Sequence, residues 1–223
     1  MTARDSILAK IRRSLGTTGD DIGRRAAVSD RLIRAPRGLV PERGQLDGEA
    51  RIALFSTMAE KANATVERVA DLADVPSAVA AYLRAKNLPA RVRRGTDERL
   101  AALPWAREPA VDVSVGRSHG EDLVGLSAAF AGVAETGTVV LVSGEDNPTT
   151  LNLLPEHHLV VVPAEAIAGD YETVWDALRA VYGKGAMPRT VNWITGPSRS
   201  GDIEQKLLLG AHGPRSVHLI VVG

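Results

Sequence analysis

Residues 217–222 read Val217-His-Leu-Ile-Val-Val222, and two earlier runs, Val139-Val-Leu-Val142 and Leu159-Val-Val-Val162, have the same character. Successive residues of a strand point to opposite faces, so a strand with one wet face alternates apolar and polar side chains. These runs do not alternate. They predict strands buried on both faces, as in a sheet covered by helices on each side. The flanking pattern agrees. Ala50–Ala62, Val75–Lys86 and Tyr171–Val181 carry apolar residues at helical spacing, and Ile203–Leu209 is a further expected helix. Thr65–Val69 and Val111–Val115 alternate as strands, the latter with Asp112 and Ser114 on one face. Ala90–Arg93 is a short strand, and an apolar-patterned strand ends at Thr195. Strands interleaved with helices indicate an α/β fold, in which ligands bind beside strand ends and the loops there.

The N-terminal part is different. Ala3–Leu15 has Ile7, Leu8, Ile11 and Leu15 on one side of a helix that Gly16 can stop. Residues 16–48 show no sustained periodicity and predict an irregular arm. Ten Lys/Arg and five Asp/Glu fall within residues 1–43, a local charge of +5 that the rest of the chain balances. The expected organisation is a helix and basic arm over 1–48, followed by an α/β domain over 49–223. A basic helix can touch RNA or a membrane, but a solvated face or a partner-docking segment explains it more simply.

Composition removes several function classes. The 223 residues include 27 basic and 27 acidic side chains, so a surface built as a whole to bind nucleic acid is not expected. There is no cysteine, so this chain alone makes no disulfide, thiolate-held zinc or iron–sulfur cluster. No apolar run reaches the ~18 residues of a membrane span, and no signal-peptide core follows Met1. A soluble cytoplasmic protein is the expectation.

The turn ahead of the first apolar run, Ala134-Glu-Thr-Gly-Thr138, places a carboxylate, a glycine and two hydroxyls together. It reads either as a strand start whose threonines satisfy local backbone, or as a ligand-facing turn. In the second reading Gly137 lets a ligand reach the backbone while Thr136 and Thr138 hold polar atoms. After Thr195 comes Gly196-Pro-Ser-Arg-Ser-Gly201, the position and spacing of a phosphate-cradling P-loop. A P-loop needs Lys and Ser/Thr next, whereas Asp202 and Ile203 follow, and a carboxylate there repels phosphate. A small-anion site remains, with Ser198 and Ser200 donating and Arg199 supplying charge. Asp202 equally suits a helix N-cap with Gln205 as its capping-box partner.

Other signatures fail. Gly183-Lys-Gly185 follows a helix, so it is no dinucleotide turn, and no Gly-x-Ser-x-Gly nucleophile elbow occurs. The histidines, His119, His157, His158, His212 and His218, do not have the spacing of a helical metal site. His158 and His218 adjoin or enter strands and read as structural, while His212 lies in the loop Gly210-Ala-His-Gly-Pro214, where it can reach a pocket.

Four segments in order, the Ala134–Val142 turn and strand, Leu153-Leu-Pro-Glu-His-His-Leu-Val160, Gly196–Glu204 and Gly210–Pro214, closely resemble the lactate-utilization domain family. The resemblance covers about residues 50–223. It implies a Rossmann-like sheet of the glucosamine-6-phosphate deaminase, ribose-5-phosphate isomerase and CoA transferase type. It also implies a component of a three-part system that oxidises L-lactate to pyruvate. The other two components, of A and B type, carry the cysteines for iron–sulfur clusters, which fits a chain with none. No cofactor is bound by a recognisable motif here, and no metal is expected. This chain departs from the family at Thr149 and Asn152, where many relatives have Arg-x-x-Ser, and at Ser200-Gly201 in place of Thr-Ala. On this reading Glu135, Thr136, Gly137 and Thr138 form one wall of a pocket for a small carboxylate, with Gly196–Asp202 and His212 opposite. Glu135 and Asp202 are the candidate acid/base groups. The alternative function is an independent sugar-phosphate isomerase or acyl-transferase-like enzyme.

Overall fold

The computed structural model describes residues 2–17, 20–200 and 208–223, in two units, one ending at Leu39 and one beginning at Val40. In the first unit, α1 (Ala3–Ser14) starts at a capping box between Thr2 and Asp5, and α2 (Ile22–Arg34) is capped by the Asp21 carboxylate. The stretch expected to be irregular therefore contains a helix. The helix is amphipathic, but the glycines, prolines and arginines on either side of it hide the pattern, and Ile22, Leu32 and Ile33 on it are all more than 60% exposed.

The second unit holds helices α3 (Gly48–Lys61), α4 (Val75–Ala85), α5 (Glu98–Ala101), α6 (Thr149–Leu153) and α7 (Tyr171–Tyr182). Its strands are β1 (Thr65–Val69), β2 (Arg91–Arg94), β3 (Asp112–Val115), β4 (Val124–Ala128), β5 (Ala131–Val133) and β6 (Thr138–Val142). They continue with β7 (His157–Pro163), β8 (Ile167–Ala168), β9 (Val191–Ile194), β10 (Arg199–Ser200), β11 (Leu208–Leu209) and β12 (Ser216–Val222). Six strands form one parallel sheet in the order β1-β12-β7-β4-β2-β3. The expected α/β architecture is present. The first apolar run, however, does not lie in that sheet. Val139–Val142 belongs to a second, mixed sheet of order β8-β5-β6-β9.

Burial on both faces explains why the three runs look alike. Leu159 and Val161 face a core shared with α4, while Val160 and Val162 face a core shared with Phe55 and Ala59 of α3. Val139 and Leu141 enter that second core from the other sheet. Val140 then faces a third, built with Val174 and Leu178 of α7. Two stacked sheets with helices outside and between them thus produce one sequence pattern. No helix among the described residues is long and apolar enough to cross a membrane.

Candidate functional site

The turn at residues 134–137 closes a hairpin between antiparallel β5 and β6, with the Gly137 N–H donating to Val133 O at 2.9 Å. Gly137 has φ +66°, and a Cβ there would lie 2.0 Å from the Ala59 backbone nitrogen. Helix α3 fills the space that the ligand-facing reading reserved for a substrate. Gly196 repeats the device, since its Cβ would lie 1.9 Å from Ala62 O at the end of the same helix. The hairpin and the 196–200 loop both seat on the last turn of α3. They also touch. Thr138 Oγ1 stands 2.6 Å from Thr195 Oγ1 and 2.9 Å from the Tyr171 hydroxyl, and Thr136 joins the same hydroxyl cluster. Thr138 is completely buried. At the base of the two segments Thr138 meets Thr195 directly, and Gly137 and Gly196 each pack on α3 where the ligand-facing reading placed a pocket.

Glu135 turns away from that loop. It is 3% exposed, its Oε1 accepts from the Tyr171 N–H at 3.3 Å, and Arg43 Nη2 lies 3.9 Å from Oε2. A carboxylate at the first turn of α7 meets the positive end of the helix and one of its unpaired donors. Gly44 and Gly169 approach so closely that neither could carry a Cβ, and Gln45 donates to Asp170 at 3.0 Å, which closes the cover over Glu135. The Glu135 carboxylate is thus committed to the start of α7, away from Ser198, Arg199, Ser200 and His212.

Ser198, Arg199, Ser200 and His212 gather at the edge where the parallel strands begin. Leu153–Glu156 leads into β7, and Gly210–Pro214 leads into β12. Between them sits the 196–200 segment: the Ser198 N–H donates to Pro214 O at 2.8 Å, and the Gly210 N–H donates to Ser198 O at 2.9 Å. The His212 N–H also donates to Ser198 Oγ at 3.4 Å. A cleft opens here between Leu153, Leu154 and Glu156 on one side and Ala211, His212 and Arg215 on the other. Arg215 and Glu156 are ion-paired at 3.1 Å across its end. Arg199 and His212 are exposed, and Ser198 and Ser200 are half-buried. Arg199 and Ser200 form β10, paired antiparallel with β11, so Leu208 and Leu209 are strand where a helix was expected. Asp202 and the remainder of that expected helix lie outside the described residues.

Two further groups sit near this edge. His158 is fully buried, its Nε2 3.0 Å from Ser127 Oγ, and burial pushes its pKa down to about 3. On the opposite face of the sheet, the Tyr82 hydroxyl bridges His157 Nδ1 at 2.9 Å and Ser216 Oγ at 2.8 Å. Its ring stacks on His218, which burial lowers to about 4 and so keeps neutral beside Glu67. The structural reading of His158 and His218 agrees with this burial. Sequence reasoning missed Tyr82 and His157, although a His-His pair opening a strand necessarily sends one ring to each face. Among the described residues no three His, Asp or Glu side chains group as metal ligands.

A sequence model of the family described as LUD domain matches residues 52–222. Lactate utilization protein C of Bacillus subtilis (strain 168) is 38% identical over 100 residues, 44% of this chain and 42% of that protein. The protein of the same name from Shouchella clausii (strain KSM-K16) is 34% identical over 99 residues, 44% of this chain and 43% of that one. The matched segment thus spans less than half the length of these curated relatives. Among solved structures, a DUF162 family protein from Deinococcus radiodurans superposes with a TM-score of 0.60 at 24% identity. It covers 80% of this chain and 99% of its own, a likeness of fold.

Proposed function

The chain belongs to the LUD domain family, and from that premise we propose that it works in lactate utilization as a component of the system that oxidises L-lactate to pyruvate. In this reading it binds or positions a small carboxylate beside iron–sulfur partner proteins of A and B type. The observation that carries the assignment is the gathering of 153–156 and 210–215 around one cleft, with the 196–200 segment hydrogen-bonded to the 210–214 wall, although the chain separates them widely. Arg199 offers a planar pair of donors matched to a carboxylate. Ser198 and Ser200 supply hydroxyls, and the His212 ring can donate or accept a proton at the ligand's hydroxyl. Oxidising a 2-hydroxy acid also needs an acceptor for two electrons, and this cysteine-free chain ligates no thiolate cluster. The electron-transfer centres accordingly belong to the partners, and this chain contributes binding and orientation.

The test is growth on L-lactate of a strain lacking the chromosomal copy, complemented with this chain or with its Arg199→Ala variant. Wild type should restore growth. The variant should fail to do so while melting within about 2 °C of wild type, since an exposed loop arginine contributes well under ~1 kcal/mol. Growth without the chain would refute the functional reading. Full growth with Arg199→Ala would refute the site alone.

A further inference from the structure

The lactate-utilization reading uses the edge where the parallel strands begin. The opposite edge, where they end, holds a separate cavity of about 510 Å3. It is roughly 20 Å away, the length of seven-residue β7 at about 3.3 Å per residue. Its floor is apolar: Leu100, Ala128, Val161 and Val222 line it, from α5 and from the last turns of β4, β7 and β12. Its rim is polar, with Asp71 and Glu165 exposed and Arg99 between cavity and solvent. In open α/β sheets the crevice outside the carboxyl ends of the strands is where small ligands bind, and this volume lies within the usual range of such sites, about 300–1,000 Å3.

The charges on the rim select the ligand. Arg99 is already neutralised: Nη2 donates to Asp97 Oδ2 at 2.7 Å and Nε to Oδ1 at 3.2 Å. Its Nη1 donates to Ala129 O at 3.2 Å. A guanidinium has five N–H donors, so two remain available to neutral acceptors such as a ring nitrogen or carbonyl. Asp71 and Glu165 are left as net negative charge, which repels phosphate or carboxylate and accepts from hydroxyl groups. Carboxylates at strand ends hold ribose hydroxyls in this manner in dinucleotide folds. The β1–α4 connection, Ala70-Asp-Leu-Ala73, lacks the glycines that let a phosphate approach backbone.

We propose that the cavity at the carboxyl ends of β1, β12, β7 and β4 binds a neutral nucleoside-like ligand, a flat heteroaromatic body on the apolar floor with its hydroxyls on Asp71 and Glu165. The site is independent of the carboxylate cleft and does not rest on it.

Adenosine is the probe and AMP its anionic counterpart, titrated into the full chain by calorimetry and by amide NMR. Adenosine should bind and shift the amides of Ala70–Ala73 and Leu100, and AMP should bind at least about five-fold more weakly. Ala73→Trp, at the half-exposed mouth, should cut adenosine affinity at least ten-fold without lowering the melting temperature. Glu165→Gln is a surface change that leaves folding intact and should weaken binding several-fold. Absence of adenosine binding at millimolar concentration would overturn the proposal. So would tighter binding of AMP, undiminished binding by Glu165→Gln, or amide shifts confined to residues 196–200 and 210–215. None of those outcomes bears on the Arg199 growth test.

Discussion

Gly137→Ala separates two accounts of the hairpin turn. If the glycine exists so that a ligand can reach backbone, an added methyl group should leave stability nearly unchanged and impair function. The structure requires the opposite. Alanine in the left-handed region costs about 1–2 kcal/mol. The new Cβ would also stand 2.0 Å from Ala59 N and 2.5 Å from both Ala59 Cα and Met58 C, all backbone atoms of α3 that no rotamer change can move. Forcing α3 away from the hairpin adds about 1–3 kcal/mol, the usual cost of overpacking. The sum is about 2–5 kcal/mol, a large share of a typical stability of ~5–15 kcal/mol. For a domain of this size each kcal/mol corresponds to about 2–4 °C, so the melting temperature should fall by about 10 °C and by no less than about 4 °C. Thermal unfolding followed by circular dichroism measures this. Gly185→Ala is the control, because Gly185 has φ +79° and nothing within 4 Å of the new Cβ, so it bears the backbone term alone. Equal losses in the two variants would refute the close packing of Gly137 on α3.

Glu135→Gln should retain lactate growth and lose no more than about 2 kcal/mol by urea denaturation, since an amide oxygen can still accept from Tyr171 N; loss of growth in a folded variant would restore Glu135 as an acid/base group. Thr138→Val should cost about 1–3 kcal/mol by the same assay, because a fully buried hydroxyl with three hydroxyl neighbours is removed. Stability should also fall on acidification. Burial lowers His158 from 6.5 to about 3, so between those values the unfolded chain binds a proton that the folded chain refuses, and stability rises with pH across that window. Between pH 6.5 and pH 4 this one group accounts for about 3 kcal/mol, and His158→Gln should show a correspondingly shallower dependence of its urea midpoint on pH.

The amino-acid sequence by itself determined the fold class and most of its elements. Val217–Val222 and Leu159–Val162 could only be strands with two dry faces, because water on either face would select polar residues at every second position. Periodicity likewise located α3, α4 and α7, each of which buries one stripe. Four ordered segments, each short, also sufficed for the family. What periodicity carries, though, is how many faces are buried and not what buries them. Val139–Val142 reads like its neighbours although it belongs to another sheet, since a strand between two sheets and a strand between helices lose the same water. The part played by each candidate residue was decided only in three dimensions. Gly137 and Gly196 both signal a close approach, but a sequence does not say whether a ligand or a helix approaches, and here it is α3. Glu135 lies one residue from Thr136, yet its carboxylate goes to the start of α7. The gathering of 153–156, 196–200 and 210–214 at one edge, and of Leu100, Val161 and Val222 at the other, follows from strand order, which long-range pairing sets and local sequence does not encode.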